Sequence, residues 1–382
     1  MFRHASIFLC LAVAALVAMG LVMLASTSAW VRGVDESYMF LRKQTIMVVV
    51  GLVLAIVAAF VPGETMRKYA PVMWVGSLLL LLLCFVPGIS VEIYGSKRWI
   101  QIPLLGQFQP SELAKIITVI ALAAWFARWQ TEVTTFWRGF VLPGVIVGMP
   151  ILAIAAETDV GSALSLSVAV GAVLYTIGTR LIYILPTALT VMSGAALYIY
   201  NNENRWSRIQ AWLDLGNPEH QLGKGMQQWR ALLAFGNGGP TGVGLGNGVE
   251  KFGTLTFAHI DFIFPVIGEE LGLPFTLGVI ACYVLIAVAG TAIAVQATNV
   301  FNRCLALGLT TIIVLPAMVN IGVTTAVLPN DGLPLPFISY GGTSLVFSLA
   351  AVGLLVGIHR VSHSAAKSAF PLGKEARLAV RL

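Results

Sequence analysis

Charge is what this sequence has least of. Only 10% of its 382 residues are Asp, Glu, Lys or Arg, against about 25% in a soluble domain. That scarcity, with 58% hydrophobic residues and a mean hydropathy of +0.87, excludes a water-soluble globular protein. Cysteine is scarce as well. Cys10, Cys84, Cys282 and Cys304 lie in or beside apolar runs, with neither a disulfide framework nor zinc spacing. They read as small packing residues. The net charge of +6 is spread over loops and a tail, so it forms no nucleic-acid footprint, and no nucleic-acid partner is expected. A cleavable signal is not expected either. The N-terminal apolar run is close to 20 residues long and no small-x-small site follows it, so it reads as the first membrane helix.

What the sequence has is long apolar runs. A membrane-spanning helix needs about 20 such residues. The runs predict ten spans, near 5–26, 44–62, 69–87, 113–129, 140–156, 161–179, 181–199, 266–295, 304–327 and 339–358. The expected fold class is therefore an all-α polytopic membrane protein with a large outer loop between spans 7 and 8. One membrane domain covers 1–360, including a loop at 200–264, and a basic tail covers 361–382. Charge sets the orientation. With the N-terminus in the cytoplasm, the inner segments hold Arg3, Arg67, Lys68, Arg128, Arg138, Arg180, Arg303 and the basic tail, but only Glu64, Glu132 and Glu375 among the acids. Basic short connections belong on the cytoplasmic side, so both termini are expected there, in a multi-pass protein of the cytoplasmic (inner) membrane.

Polar residues gather in a few outer segments. Within 88–112, Lys97 and Arg98 stand against the positive-inside bias. They either hold an anionic group or pair with Glu92 or Glu112. Gln109-Pro110-Ser111-Glu112 reads as a helix start, with Ser111 and Lys115 one turn apart on the same face. Glu157 and Asp159 form a short outer turn, either capping the next helix or facing a cavity. The 200–264 loop carries Trp206, Trp212 and Trp229 at helical spacings that suit amphipathic segments on the membrane surface. Its glycine-rich run, 236–248, has no preceding strand and no Lys-Ser/Thr ending, so a nucleotide loop is rejected. In 328–344, three prolines forbid a regular helix. The polar run Ser339-Tyr340-Gly341-Gly342 is a backbone stretch able to coordinate an ion or substrate.

The densest feature is His259-Ile260-Asp261-Phe262-Ile263-Phe264, followed by Gly268-Glu269-Glu270-Leu271-Gly272. Three carboxylates fall within ten residues of a nearly uncharged chain. Asp261 stands at the junction of loop and membrane. Glu269 and Glu270 lie behind it, either joining the site or pairing with a buried Lys or Arg.

These segments together resemble the RodA/FtsW (shape, elongation, division and sporulation) family of peptidoglycan polymerases. The resemblance runs from about residue 5 to 360 and is carried by Lys97-Arg98-Trp99-Ile100, Gln109-Pro110-Ser111-Glu112-Leu113-Ala114-Lys115, Ala258 to Phe264, Gly268 to Gly272, and Leu335 to Gly342. The Gly268-Glu269-Glu270 block looks more like the division branch, FtsW, than the elongation branch. The chain departs from the family pattern at Glu157-Thr158, at Pro265 and at Asn330-Asp331. The resemblance implies a glycosyltransferase that polymerises lipid II into glycan strands at the outer face of the membrane, in cell division or cell-shape elongation. It implies a class B penicillin-binding transpeptidase as partner, with other divisome or elongasome membrane proteins and membrane lipids. It places the essential aspartate on Asp261.

The chemistry asks for a base to take a sugar hydroxyl proton and for cations to neutralise a pyrophosphate. Asp261 is the expected base or metal ligand. Lys97, Arg98, Gln109, Ser111, Glu112, Lys115, Asp159, Ser339, Tyr340, Gly341 and Gly342 are expected around the substrate, with Glu269 and Glu270 supporting. The metal site is left unknown, Asp261 being its one candidate ligand. A divalent cation, Mg or Mn, is the one cofactor expected. Two rival readings stand beside this one: a lipid II flippase or transporter, and a scaffold of the division machinery without chemistry.

Overall fold

The structure is a computed structural model that describes residues 4–28, 39–93, 96–102, 106–252, 255 and 258–369. Among the described residues, ten helices are long and apolar enough to cross a membrane and form its framework. They are α1 (Ala5–Ser28), α2 (Met39–Phe60), α3 (Gly63–Leu83), α4 (Pro110–Arg128), α5 (Leu142–Ala156, entered through a π-helical turn at Trp137–Val141), α6 (Val160–Ile177), α7 (Leu181–Asn201), α12 (Leu273–Gln296), α13 (Val300–Thr324) and α14 (Gly342–Ala369). Between α7 and α12 the described residues form four shorter helices: α8 (Glu203–Leu213), α9 (Pro218–Leu222), α10 (Met226–Gly238) and α11 (Ile263–Leu271). The protein is an integral multi-pass membrane protein of the expected ten-span, all-helical class.

Helices α4, α13 and α14 are the most enclosed of the bundle, and α7 has no buried residue at all. In a membrane, where lipid is as apolar as leucine, close backbone approach supplies much of the packing. The α2–α14 contact shows this. A Cβ at Gly353 would come within 2.1 Å of the Ala55 carbonyl oxygen, so only glycine lets the two helices lie this close.

Three departures from the sequence expectations matter for the site. The expected eighth span, 266–295, is two helices. Gly272 breaks it with φ 78°, and a Cβ there would lie 2.5 Å from the Gly242 amide nitrogen. The glycine-rich run thus packs backbone to backbone against the break. Segment 88–112 holds a small antiparallel sheet of β1 (Ser90–Ile93), β2 (Ser96–Ile102) and β3 (Gly106–Phe108), in the order β1-β2-β3. Its alternation was hidden by the short strands. Finally, α14 runs to Ala369, past the expected boundary at 360, and the remainder of the expected tail lies outside the described residues.

Candidate active site

Asp261 does not begin a helix. It sits in the turn before α11, and its neighbours are tied down by hydrogen bonds from three long helices and the proline-rich segment. The Asn320 amide of α13 donates to the Asp261 carbonyl and to the Leu333 carbonyl, both at 2.7 Å. Ser339 Oγ donates to the Ile260 carbonyl at 2.6 Å and accepts from the Leu335 amide at 2.8 Å. The Tyr340 amide donates to the His259 carbonyl at 2.9 Å. Gln44 of α2 then holds the Ser339 carbonyl through Nε2 (3.1 Å) and accepts from the Gly341 amide through Oε1 (3.3 Å). Pro334 and Pro336 keep this segment out of a helix, leaving its backbone groups free for such cross-links. Tyr283 donates its hydroxyl to the Pro336 carbonyl. Phe40, His259 and Tyr340 stack as a trio, with Phe40 4.9 Å from each of the others between ring centroids. Segments 259–261 and 331–341 are therefore cross-linked to each other at one end of the bundle.

Around Asp261 the charges converge. The residue keeps part of its surface open but is densely surrounded by protein. Burial pushes its carboxyl from 3.8 up to about 7, with Arg98 pulling it down and Asp331 pushing it further up. Gly332 lies against it: a Cβ there would sit 3.2 Å from Asp261 Oδ2. Asp331 is itself raised, first by burial and then by Asp159, while Arg205 and Arg208 of α8 and Arg98 oppose the shift. Burial lowers the His259 imidazole. The arrangement is two raised carboxylates, with Arg98 acting on both and Arg205 and Arg208 acting on Asp331. Strongly perturbed carboxylates in a cleft are a mark of functional sites.

Several expected residues meet here. Arg98 Nη1 lies 3.5 Å from Asp159 Oδ1, and its plane sits 4.3 Å over the Trp99 ring. Gln109 Nε2 bridges Asp159 Oδ2 and Ser111 Oγ, each at 3.0 Å. Asp159 also caps α6, accepting from the Ser162 amide at 3.2 Å, so it both caps the helix and faces the cluster. Lys97 lies in β2, and its side chain falls outside the described residues.

The others are placed differently. Lys115 does not pair along the face of Ser111. It donates to Glu112 Oε1 at 2.8 Å, with both side chains nearly enclosed. Ser339, Tyr340 and Gly341 spend the groups just described on positioning Asp261, and Gly342 opens α14. Glu269 and Glu270 form a separate knot. Glu270 takes Lys251 Nζ at 2.6 Å with both side chains at most 1% exposed, and accepts from Ser26 Oγ (2.8 Å) and the Gly246 amide (2.9 Å). Glu269 Oε1 accepts from the Val249 amide at 3.0 Å. These two acids clamp the glycine-rich run to α11.

Sequence reasoning passed over Asp331, Arg205, Arg208, Asn320 and Gln44. Asn320 carried a signal, as a lone amide in an apolar run; polar residues in membrane helices are costly and tend to be functional. Glu157, left by the sequence as either a cap or a cavity-facing acid, is buried, and neither of its oxygens has a hydrogen-bond partner among the described residues. Burial pushes its carboxyl up to about 8, with Asp159 adding to the shift and the neighbouring Cys84 thiol and Arg98 opposing it.

Among the described residues no group of three or more His, Cys, Asp or Glu side chains forms a metal cluster. Magnesium is commonly held by one or two carboxylates together with waters and substrate phosphates. Asp261, raised by burial and by Asp331, and Asp331, raised by burial and by Asp159, fit that mode of binding.

The fold and motifs have close relatives. The model of the FtsW, RodA and SpoVE family, described as "cell cycle protein", matches residues 6–364. A "probable peptidoglycan glycosyltransferase FtsW" of Geobacter metallireducens is 38% identical, over 93% of this chain and 94% of its own. One of the same description from Coxiella burnetii is 36% identical, over 90% and 93%. Among solved structures, a chain from work on "structural coordination of polymerization and crosslinking by a peptidoglycan synthase complex" superposes with a TM-score of 0.75 at 27% identity, covering 93% of this chain and 97% of that one. The rod shape determining protein RodA of Thermus thermophilus superposes with a TM-score of 0.65 at 27% identity, over 93% and 96%.

Proposed function

The chain belongs to the FtsW, RodA and SpoVE family, and from that premise we propose that it is a peptidoglycan glycosyltransferase that joins lipid II units into glycan strands, with Asp261 as the group that carries the chemistry. The observation behind this reading is the Asp261 carboxyl, pushed up to about 7 beside Asp331 and Arg98 at one end of a ten-span bundle. A base works best when its pKa lies near the operating pH.

In the reaction, the 4-hydroxyl oxygen of one sugar forms a bond to the anomeric carbon of another. The bond from that carbon to the polyprenyl pyrophosphate breaks, and the pyrophosphate leaves with its electron pair. The hydroxyl proton goes to Asp261. Arg98, Arg205 and Arg208 supply positive charge for the departing anion. Asn320, Ser339 and Gln44 hold the Asp261 turn in place, so little reorganisation accompanies proton transfer. A divalent cation at Asp261 and Asp331, magnesium or manganese, would supply further charge for the pyrophosphate.

The site opens on the outer face of the inner membrane, with segment 202–272 outside and both termini in the cytoplasm, as the basic inner connections support. A class B penicillin-binding transpeptidase is the expected partner, since crosslinking must act on the strands made here. The similarity to a chain of a peptidoglycan synthase complex supports that pairing. Higher identity to FtsW relatives favours division over elongation.

The experiment is incubation of the purified protein with lipid II, with and without the transpeptidase and a chelator, followed by separation of glycan chains. Wild-type protein makes polymer and Asp261→Asn makes none. Polymer at the wild-type rate from Asp261→Asn rejects the assignment. Movement of lipid II across vesicles without any polymer identifies a transporter instead.

A further inference from the structure

At the other end of the bundle is a half-enclosed cavity of about 340 Å³. Most of its wall is apolar: Val61, Met66, Leu354, Ile358 and Val361 among others. Its polar side is built differently from the Asp261 cluster. The N-termini of two long helices, α3 and α13, open on it through Pro62, Gly63 and Glu64 and through Asn299, Val300 and Phe301. Helix N-termini carry unpaired amides and a partial positive charge. The start of α3 has no side-chain cap, because Pro62 stands at that position.

A second observation points to a ligand. Asn302 lines the cavity and is 5% exposed. Its side-chain amide makes no hydrogen bond to any described residue; only its backbone amide is engaged, with Asn299 Oδ1 at 2.8 Å. The polar atoms of that amide are not fully enclosed, so they face the space of the cavity, where an occupant can supply the partners the protein does not. Arg67 and Gln130 also line it, and Arg360 lies at the same end with its guanidinium 4.3 Å over the Phe60 ring. Glu64 is the one acid among the lining residues. Positive helix ends, an arginine and a free amide call for a phosphate. The apolar remainder calls for hydrocarbon.

We propose that this cavity binds an anionic phospholipid, its phosphate held by the α3 and α13 N-termini, Arg67 and Asn302, and the start of an acyl chain lying against Val61, Met66, Leu354 and Ile358. The site lies at the end of the bundle away from Asp261 and takes no part in the proposed chemistry.

The test is native mass spectrometry of the full-length protein titrated with phosphatidylglycerol, with phosphatidylcholine of the same chains, and with inorganic phosphate. Phosphatidylglycerol is expected to remain bound and phosphatidylcholine to bind less tightly. Arg67→Gln and Asn302→Leu are each expected to weaken phosphatidylglycerol by about fivefold, the size of a partly exposed charge or hydrogen-bond contact. Arg67 is on the surface, so its variant reads the site even where Asn302→Leu lowers the yield of folded protein. Equal retention of both lipids by wild type and Arg67→Gln overturns the proposal. Complete displacement of phosphatidylglycerol by millimolar inorganic phosphate overturns it too, since the site then recognises free phosphate without its lipid.

Discussion

The Asp261 carboxyl makes a prediction that couples rate to stability in opposite directions. With a pKa of about 7, about one-tenth of the molecules carry an ionised Asp261 at pH 6 and about nine-tenths at pH 8, so a reaction that uses it as base speeds up about tenfold across that interval. The same shift acts on folding. The folded pKa lies above the ordinary 3.8, so between those values the folded state keeps a proton that the unfolded chain has lost. Stability therefore falls as pH rises through that window, and the penalty is complete above about 7. At 1.36 kcal/mol for each pKa unit the ceiling is about 4 kcal/mol. Partial exposure of the residue to solvent reduces it to roughly 2–4 kcal/mol.

Asp261→Asn removes the charge and keeps the shape. At pH 8 it should abolish polymerisation while raising the midpoint of thermal unfolding by roughly 3–5 °C, from an unfolding entropy of about 2.1 cal/mol/K per residue. Near pH 4 the gain should vanish, because Asp261 is then neutral in the folded protein. Single-turnover rates with lipid II between pH 6 and 8, and melting curves over pH 4–8, measure both effects. A flat rate profile, or an Asn variant no more stable than wild type at pH 8, refutes the reasoning. A cation at the site would pull the pKa down, so adding Mg or Mn should move the rate profile to lower pH.

The other predictions concern what surrounds Asp261. Lys251→Met leaves Glu270 charged and enclosed, a loss of about 3–5 kcal/mol visible as a lower melting temperature; Lys251→Met with Glu270→Met should recover much of it, and a double variant no better than the single one contradicts the ion-pair account. Asn320→Leu removes two 2.7 Å hydrogen bonds that position the Asp261 turn. It should lower kcat by more than about tenfold, because a misplacement near 1 Å is costly, with KM for lipid II little changed. Gly353→Leu would drive a side chain into the Ala55 carbonyl, and we expect little folded protein by size-exclusion chromatography. Chelator should reduce the polymerisation rate and Mg or Mn restore it, whereas an unchanged rate removes the metal from the scheme.

Much of this was legible in the chain because the membrane simplifies the physics. A backbone that must satisfy its own hydrogen bonds in lipid has few options, so the count of ten spans follows from apolar length alone. Asp261 was legible because a carboxylate at the edge of an apolar run has few structural excuses. The break at Gly272 was not legible. Residues 266–295 are continuously apolar apart from two acids, and the break depends on the backbone of Gly242, thirty positions earlier in the chain. The small sheet was missed because strands of three to seven residues between membrane helices leave a weak alternation.

The separation of the three carboxylates follows the same division between local and distant causes. By sequence alone, Asp261, Glu269 and Glu270 look like one cluster, and an unbroken helix would put Glu269 about 80° around from Asp261. The helix begins only at Ile263, so that relation does not exist. Glu269 and Glu270 turn to the glycine-rich run, where Lys251 and the amides of Gly246 and Val249 satisfy them. Asp261 turns instead to Arg98 and Asp331, which are linked in turn to Asp159 and to Arg205 and Arg208. Two of the three acids have their charge neutralised or fully hydrogen-bonded. The third is left with burial against it and a like charge nearby. That residual imbalance distinguishes Asp261 from its neighbours, and it is the imbalance a substrate proton would relieve.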